Sequence, residues 1–514
     1  MDKRVRFLLL LLVLSFNLFY GLGDVPLLDP DEPVYAETAR EMIEFGDFLS
    51  PRIYNEVWFD KPPMFYWLAA GSFQTAGIGE FGARLPSALF GLGTIALLYA
   101  SVSRLFDEDV AFWSALVLGT SLEFFYLGKA AVTDMTLLFF LTGSTFAFLE
   151  ERYLPMYAFM GLGTLTKGPI GIVFPCAVIF LHFIVSGDWQ RLKRMKLLAG
   201  SIICLAIAAP WYFLMYQAHG RIFIDTFLGF HNLTRFTSPE HPDRVLWYYY
   251  LPVLIIGLFP WTGFLLNGLR KSIAESTGTD FKNLIFMNVW WVFVFLFFSV
   301  SQTKLVSYIL PLFPPLAVIC GWNVVRISRA RYPGEGFQLA ALSFSLLALF
   351  AAACFYGASA LPEMAFGSTV LACIMLLLAV GIVIALVRFR DVLMAAWLHA
   401  AAGILTMIVI FNFMLPSVAD RFSVKKAAAF YADSCDVAVP VHVDKFLRPG
   451  FMFYARIPGL ELKPETTDFQ RLFADRLPKY VVVRGLELRR LKNVDTSRLQ
   501  ELFAKDDIYL FKIE

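Results

Sequence analysis

Long apolar stretches recur along most of this sequence and limit what the chain can fold into. A stretch of roughly 20 apolar residues is the length that crosses the hydrocarbon core of a bilayer as a helix. The composition agrees, because 58% of the 514 residues are hydrophobic and only 17% are charged. Inside a bilayer the backbone polar groups of a segment must bond to one another, which favours helices. The sequence therefore predicts an all-α polytopic membrane protein.

Counting each apolar stretch as one span gives about thirteen transmembrane helices. They lie at 6–22, 84–104, 110–128, 133–150, 154–167, 169–186, 197–216, 247–268, 283–301, 304–325, 338–359, 366–387 and 392–413. The pair around Gly168-Pro169 is short and broken, so the count can change by one. The first stretch also fits a signal peptide, but Gly21-Leu22-Gly23 is a poor cleavage site and favours an uncleaved span. The shorter segment 64–78 predicts a helix at the membrane interface.

The distribution of Lys and Arg predicts the orientation of these spans. Cytoplasmic loops of membrane proteins carry an excess of basic residues. With a cytoplasmic N-terminus, the basic loops all fall on the cytoplasmic side: Lys3 to Arg6, Arg104, Arg152, Arg191 to Lys196, Arg270-Lys271, Arg326 to Arg331, and Arg388-Arg390. An odd number of spans then places the C-terminus outside. The C-terminal segment is therefore predicted on the outer side, which in a bacterial inner membrane is the periplasm.

The composition changes near Pro416, after which charged residues become frequent. The segment 422–433 predicts an amphipathic helix, and 437–443, 480–483 and 508–513 predict strands. We expect a transmembrane domain at 1–415 and a small soluble α/β domain at 416–514. The net charge of +2 gives no reason to expect a nucleic-acid partner. The six cysteines show no spacing typical of a disulfide framework or a zinc site.

The first outer loop, 23–84, is the longest polar gap before the C-terminal segment. It contains Asp-Pro-Asp-Glu-Pro at positions 29–33. Asp31 stands where a helix N-cap is expected, and Gly46 predicts the helix end. The helix would place Tyr35 on an apolar face that rests on the outer leaflet. In that position Asp31 and Glu32 form an acid pair at the level of lipid head groups. The alternative interpretation is that Asp31 only caps the helix.

Further basic and acidic side chains occur on the same predicted side of the membrane. Lys61 precedes two prolines, which stiffen its backbone and suit it to hold a phosphate. The alternative is a lysine that only reaches towards the head groups. The remaining candidates are Lys129, Asp134, Lys167, His231, Arg235, Lys304 and Tyr308. Each of these residues alone is more typical of an interfacial anchor. Their location on the same side of the membrane is what indicates a site.

At these residues the chain resembles a known family. It looks like a membrane glycosyltransferase of the GT-C fold, close to the aminoarabinose lipid A transferases (ArnT-like), and more distantly like the dolichyl-phosphate-mannose protein mannosyltransferases. The matching pieces are Asp31-Glu32, Tyr35 to Glu37, Arg40 to Met42, Gly46-Asp47, Pro51-Arg52, Phe59 to Pro63, Asp134, and Lys304 with Tyr308 to Pro311. The resemblance covers roughly residues 25–320.

This resemblance implies a sugar donor linked to polyprenyl phosphate and inversion at the anomeric carbon. It implies catalytic roles for Asp31, with Glu32, and for Asp134. Lys61 and Arg235 would hold the lipid phosphate, and Lys304, Tyr308 and Tyr35 would line the donor site. The implied acceptor is lipid A or another envelope glycan, glycolipid or protein. No cofactor is required by this scheme.

Two positions depart from the pattern of the arabinose transferases. Val34 stands where that family carries Arg, and Asp60 stands where it carries Glu. The sugar and the acceptor therefore stay open. Asp60 and His231 are candidate ligands for a divalent metal, although two ligands without diagnostic spacing do not define a site. Two other classes of protein remain as alternatives, a lipid or polysaccharide transporter or flippase and a non-catalytic scaffold. A transporter would be expected to show repeated halves or mid-membrane charges, and the sequence shows neither.

Overall fold

The structure is a computed structural model that describes residues 3–227, 229, 246–274, 280–330, 333–463, 466–473, 477–490 and 498–513. The chain divides into two compact units. Unit 1 comprises Met1–Tyr20, Phe59–Phe65 and Pro86–Phe411. Unit 2 comprises Gly21–Trp58, Tyr66–Leu85 and Asn412–Glu514. The predicted boundary at 415/416 stays a prediction, because unit 2 also includes most of the first loop.

Helices make up nearly all of unit 1. Their bounds are Lys3–Phe19, Glu80–Leu105 (shared with unit 2 at its start), Glu108–Gly119, Leu122–Gly128, Asp134–Leu149, Tyr153–Lys167, Ile170–Ser186, Leu197–His219, Arg221–Ile224, Tyr250–Gly257, Thr262–Ala274, Phe281–Val300, Phe313–Ala330, Pro333–Ala360, Ala365–Val383 and Val392–Val409. A 3-10 turn at Val306–Leu312 precedes the helix Phe313–Ala330.

Among the described residues, seven helices are long and apolar enough to cross a membrane, or up to nine if each bent pair is one span. The sequence predicted 110–128 and 247–268 as single spans. The structure instead breaks them into helix pairs bent by 66° and 112°. Helices also occupy the predicted short spans at 6–22, 133–150, 154–167 and 169–186. The protein is therefore a mostly helical multi-span membrane protein, and the count of thirteen stays a prediction.

The two bent pairs meet at their breaks. The backbone N–H of Leu122 donates to the carbonyl of Phe259 over 3.3 Å. The indole N–H of Trp261 donates to the Thr120 hydroxyl over 2.8 Å, and both groups are buried. A break in a helix frees backbone groups that must find other partners when water is excluded. These contacts supply partners and fix the two breaks against each other.

Unit 2 begins with the first loop. It forms the helix Asp31–Phe45, a short hairpin of β1 (Arg52–Ile53) and β2 (Glu56–Val57), and the helix Met64–Ala76. Gly46 ends the first helix with a φ of 64°, which a glycine adopts without strain. The sequence predicted this end and the helix at 64–78. The placement of the second helix at a membrane interface stays a prediction.

The C-terminal part of unit 2 is a small mixed sheet. Its strands are β3 (Val441–Asp444), β4 (Leu460–Leu462), β5 (Lys479–Arg484), β6 (Leu499–Lys505) and β7 (Ile508–Ile513), in the order β4-β3-β5-β7-β6. The first three in that order are parallel, and β7 runs antiparallel to both β5 and β6. Short helices accompany it at Leu415–Val418, Lys425–Ser434, Arg448–Ala455, Thr466–Leu472 and Gly485–Arg490.

The predicted elements of this segment agree with the structure in kind and less well in extent. The strand expected at 437–443 begins at Val441, and the helix expected at 422–433 begins at Lys425. The strands β4 and β6 were not predicted. β4 has three residues, and β6 alternates poorly between exposed and buried positions. Neither presents the period of two that identifies a strand in a sequence.

Candidate functional site

Unit 1 holds a buried ion pair between neighbouring helices. Asp134 is the first residue of the helix Asp134–Leu149, and Lys167 is the last residue of Tyr153–Lys167. Lys167 Nζ donates to Asp134 Oδ1 over 2.8 Å, and the side chains are only 13% and 10% exposed. An acid at a helix N-terminus and a base at a C-terminus both complement the helix dipole. The fold therefore brings the two charges together at helix ends.

A second ion pair and a tyrosine belong to the same cluster. Lys61 Nζ donates to Asp60 Oδ2 over 2.9 Å. Lys167 is within electrostatic range of Asp60, and its Nζ lies 5.1 Å from the centroid of the Tyr308 ring. Four residues predicted from the sequence, Asp60, Lys61, Asp134 and Tyr308, therefore converge in unit 1. Lys167, which the sequence placed on the same side of the membrane without a specific role, joins them.

Glu123 is a carboxyl group that the sequence reasoning did not single out. It lies in the short helix after the first break, and both its oxygens are buried without a hydrogen-bond partner among the described residues. It is close enough to Asp134 to interact with it electrostatically. A glutamate within an apolar stretch of a membrane protein is a signal for function, because burying a charge there is costly. That signal was present in the sequence, because Glu123 lies inside the predicted span 110–128, and the prediction that no charge lies within the membrane is corrected at this residue.

Lys304 and Lys129 lie in unit 1 and donate to backbone carbonyls at the ends of helices. Lys304 Nζ donates to the carbonyls of Phe298, Ser299 and Ser301 over 3.2, 2.6 and 2.6 Å. Those carbonyls end the helix Phe281–Val300, so this ammonium satisfies groups that the helix leaves without partners. Lys129 donates to the carbonyl of Tyr20 after the helix Lys3–Phe19. The role of Lys304 in donor binding stays a prediction, and its three bonds indicate a capping role.

The N-cap predicted at Asp31 is wrong. Asp31 is the first residue of the helix, Pro30 occupies the N-cap position, and no side chain caps this end. Two early helical N–H groups bond instead to backbone carbonyls of the preceding turn, Glu32 to Leu28 over 3.3 Å and Val34 to Pro30 over 3.4 Å. A capping side chain is therefore not needed. Because Asp31 does not cap the helix, the alternative that it serves only as a cap is removed. Its side chain is exposed.

Glu32 is engaged in unit 2 by a buried arginine. Arg84 donates from Nε to Oε1 over 2.8 Å and from Nη2 to Oε2 over 2.7 Å. The same guanidinium donates to the carbonyls of Leu22, Val25 and Pro26 over 3.1, 2.7 and 2.9 Å. Both side chains are less than a tenth exposed. The geometry is that of a structural clamp on the loop, and the predicted catalytic role of Glu32 stays untested.

The helix Asp31–Phe45 is buried on both faces. Glu37 and Glu41 are fully buried, as are Ala39 and Met42. Arg40 pairs with Glu37 and with Glu44, which offsets the cost of burying these charges. A helix resting on a leaflet would leave its charged face exposed, so the expected arrangement of this helix is not what the structure shows. Its charges are neutralised within the protein.

Glu41 has an altered proton affinity. Burial and the neighbouring Glu37 raise the pKa of Glu41 to about 7, against the effect of the hydrogen bond from the Asn55 backbone. The Asn55 N–H lies 3.2 and 3.1 Å from the two carboxyl oxygens. This group therefore changes its charge near neutral pH, in the segment that carries Asp31.

The remaining predicted residues are Tyr35, His231 and Arg235. The Tyr35 ring packs 6.0 Å from the Tyr66 ring in unit 2. His231 and Arg235 lie outside the described residues. Within the described part of the chain no group of three or more His, Cys, Asp or Glu could hold a metal ion. Asp60, one of the two candidate metal ligands, is paired with Lys61 instead.

Comparison with known proteins gives the family context. Residues 60–213 match the family of dolichyl-phosphate-mannose-protein mannosyltransferases. A protein of Aquifex aeolicus without an assigned function is 31% identical over 342 residues, covering 66% of this chain and 78% of that protein. The undecaprenyl phosphate-alpha-4-amino-4-deoxy-L-arabinose arabinosyl transferase of Aeromonas hydrophila is 30% identical over 330 residues, covering 62% of this chain. The chain spans only 60% of the length of that enzyme.

The solved structures agree on the fold. ArnT from Cupriavidus metallidurans, bound to undecaprenyl phosphate, superposes with a TM-score of 0.83, covering 98% of this chain and 97% of that chain, at 24% identity. At that identity the likeness establishes the fold alone. The family model and the relatives add the sequence signature, and the resemblance noted from the motifs is confirmed. This chain is a multi-span membrane protein with the fold of ArnT from Cupriavidus metallidurans.

Proposed function

We propose that this chain is a glycosyltransferase that moves a sugar from a polyprenyl-phosphate donor to an acceptor, with inversion at the anomeric carbon. The proposed site faces the periplasm, at the outer leaflet of a bacterial inner membrane. The acceptor class is lipid A or another envelope glycan, glycolipid or protein. The relatives support the donor class, since the Aeromonas relative is named for an undecaprenyl phosphate donor and Cupriavidus ArnT binds undecaprenyl phosphate.

The observation that carries this proposal is the pair of buried carboxylate–ammonium contacts at Asp60–Lys61 and Asp134–Lys167. Buried ion pairs are weak sources of stability, because apolar residues of similar volume often stabilise a fold as well or better. Two such pairs within electrostatic range of each other, one of them beside Tyr308, therefore point to chemistry. An ammonium that leaves its carboxylate partner can bind a phosphate. The freed carboxylate can then accept a proton or orient an acceptor.

In the proposed reaction the polyprenyl phosphate is the leaving group. Lys61 and Lys167, with Arg235, stabilise the negative charge that develops on it. Asp31 accepts the proton of a hydroxyl acceptor, or positions the acceptor if that group is itself a phosphate. Asp134 is the second acid of the site, and it is freed when Lys167 turns to the phosphate. Glu32, Tyr35 and Tyr308 remain candidates for substrate contact.

The test of the function is transfer by purified protein in lipid nanodiscs. Wild-type protein should transfer sugar from an undecaprenyl-phosphate-linked donor to an extracted envelope acceptor, detected by mass spectrometry of the product. Asp31→Asn should reduce turnover by roughly 10²-fold or more while the melting temperature stays near that of wild type, since a charge needed in the transition state is lost. Wild-type protein that transfers no sugar from any such donor would refute the proposal. Full turnover by the variant would refute the role of Asp31.

Lys61 requires a paired design because removing it leaves Asp60 buried without its partner. Lys61→Met should lower turnover more than donor affinity, because Lys61 is held rigidly before Pro62 and acts on the developing charge. The matched control is the double variant Asp60→Asn with Lys61→Met, which removes the orphaned carboxylate. If the double variant recovers wild-type turnover, Lys61 does not act on the phosphate.

The proposed membrane arrangement has thirteen spans, with the transmembrane domain at 1–415 and a periplasmic domain at 416–514. Reporter tags after Arg194 and after Arg329 should report the cytoplasm, and a tag after Glu514 should report the periplasm. A cytoplasmic C-terminus would overturn both the span count and the periplasmic site.

A further inference from the structure

Asp29 is a buried carboxyl group in unit 2 that precedes the candidate acid Asp31 by two residues. Its Oδ2 accepts from the Val424 N–H over 2.9 Å, and its Oδ1 accepts from the Gly450 N–H over 3.1 Å. Both donors belong to the first turns or caps of helices, Lys425–Ser434 and Arg448–Ala455. A carboxylate satisfies such N–H groups well. One side chain thus joins the ends of two helices far along the chain.

The backbone of the same residue is also held. The Asp29 N–H donates to the carbonyl of Phe422 over 2.7 Å. Two residues earlier in this turn, the Leu27 N–H donates to the Tyr454 hydroxyl over 2.9 Å. Four hydrogen bonds therefore tie positions 27–29 to positions 422–454 of unit 2.

Gly450 shows how closely this contact is fitted. A Cβ atom at Gly450 would lie 2.3 Å from Asp29 Oδ1 and 2.8 Å from Oδ2. Distances this short are not tolerated between a carbon and an oxygen, and both partners are packed. Only glycine leaves room for the carboxylate. Burial raises the pKa of Asp29 well above its usual range, and the bonds from Val424 and Gly450 oppose that rise.

These contacts of Asp29 also fix the backbone next to Asp31, because only Pro30 separates the two residues. The helix of Asp31 has no capping side chain, and its first N–H groups bond to the carbonyls of Leu28 and Pro30. The backbone on either side of Asp29 therefore supplies the hydrogen-bond acceptors for the start of this helix. We propose that Asp29 is a positioning residue through which the segment 422–450 sets the position of Asp31. This inference rests on the proposed function for its effect on turnover, but not for its effect on the helix.

The first measurement is hydrogen exchange, which needs no activity. In Asp29→Ala, amides of the helix Asp31–Phe45 should exchange roughly tenfold or more faster than in wild type, because local opening of the helix start becomes easier. Asp29→Asn should have a smaller effect, since one amide oxygen still accepts while the NH2 group faces a donor. Unchanged exchange in Asp29→Ala would overturn the proposal, whatever the activity of the wild-type protein.

The second measurement is transfer activity in nanodiscs. Asp29→Ala should lower turnover by roughly 10- to 100-fold, the cost of misplacing a group by about an ångström. Donor affinity should change by less than about twofold, because the proposed phosphate ligands Lys61 and Lys167 belong to unit 1. Equal loss of affinity and turnover, or no loss of turnover, would overturn the positioning role. Wild-type protein without transfer would instead count against the proposed function, and exchange would still decide the positioning.

Gly450→Ala provides an independent test from the other side of the contact. It should reproduce the Asp29→Ala effects, and the double variant should be no worse than either single variant, because the clash requires the carboxylate. The matched control is Glu487→Gln, which alters another buried carboxyl group of the same unit, paired with Arg484 over 3.2 Å. This control should leave exchange of the first-loop helix at the wild-type rate. Additive losses in the double variant would show that the two residues do not act through one contact.

Discussion

Arg84 offers the sharpest test of how the first loop is held, and of what Glu32 does. Its guanidinium makes two hydrogen bonds to Glu32 and three to loop carbonyls, all between 2.7 and 3.1 Å. Arg84→Ala would leave the Glu32 carboxylate buried without its partner. Removing one member of a buried ion pair typically costs about 3–5 kcal/mol. The carbonyls of Leu22, Val25 and Pro26 lose their donors in addition, so the cost should lie at the upper end of that range.

Arg104 on the same helix is the matched control. It pairs with Glu150 over 2.8 Å but is 56% exposed, and Arg152 stays within 3.7 Å of that carboxylate. Arg104→Ala should therefore cost no more than about 1 kcal/mol. The assay is retention of folded protein in nanodiscs after heating, read by size exclusion, together with the rate of proteolysis in the first loop. Equal losses for the two arginine variants would refute the reasoning.

The double variant Glu32→Gln with Arg84→Met separates structure from chemistry. Replacing both members removes the orphaned charge, and such replacements are often close to neutral. The double variant should therefore recover much of the stability lost in Arg84→Ala. If turnover recovers with stability, Glu32 has a structural role. If stability recovers and turnover does not, Glu32 contributes to catalysis as the sequence predicted.

Three further predictions follow from other buried groups. Asp134→Asn or Lys167→Met alone should lower both yield and turnover. The double variant should recover yield but not turnover. Yield is measured as folded protein per cell, and turnover as sugar transfer. Lys304→Met should lower the melting temperature and turnover together, because three carbonyls lose their donor; a loss of turnover at an unchanged melting temperature would make Lys304 a substrate ligand. Because the folded-state pKa of Glu41 is raised from 4.5 to about 7, its contribution to stability is present below pH 4.5 and is lost as the pH rises towards 7. Glu41→Gln should therefore gain melting temperature relative to wild type at pH 8 but not at pH 4, and a gain equal at both values would contradict this.

The fold could be predicted from the sequence because its main signal is length. Apolar stretches long enough to span a bilayer identify helices almost regardless of detail. Bends are harder to predict. The breaks that follow Gly119 and Gly257 depend on contacts between distant segments, such as that of Trp261 with Thr120. The short strand β4 was missed for a similar reason. Its three residues carry no pattern of their own and are held by pairing with β3.

The sequence predicted which residues belong to the candidate site, but not which groups they contact. Asp60, Lys61, Asp134 and Tyr308 were all named, and unit 1 brings them together. The N-cap at Asp31 was wrong, because the turn formed by Leu28 and Pro30 supplies backbone acceptors that no pattern of side chains reveals. Asp29 was passed over because its donors, Val424 and Gly450, lie almost four hundred residues away or more. Its contacts join positions that are distant in sequence, so they are visible only in the folded structure.

The buried lysines show why residue type alone cannot identify a site in such a protein. Lys61 and Lys167 each donate to a carboxylate, whereas Lys304 and Lys129 donate to backbone carbonyls at helix ends. In sequence all four are single basic residues beside apolar stretches. The partner separates them physically, because a carboxylate can take up a proton or bind an acceptor after its lysine turns to a phosphate, and a helix-end carbonyl cannot. An ammonium that left its carbonyls would also expose the end of a helix. We therefore expect the lysines paired with carboxylates to change partner during turnover, and the capping lysines to keep theirs.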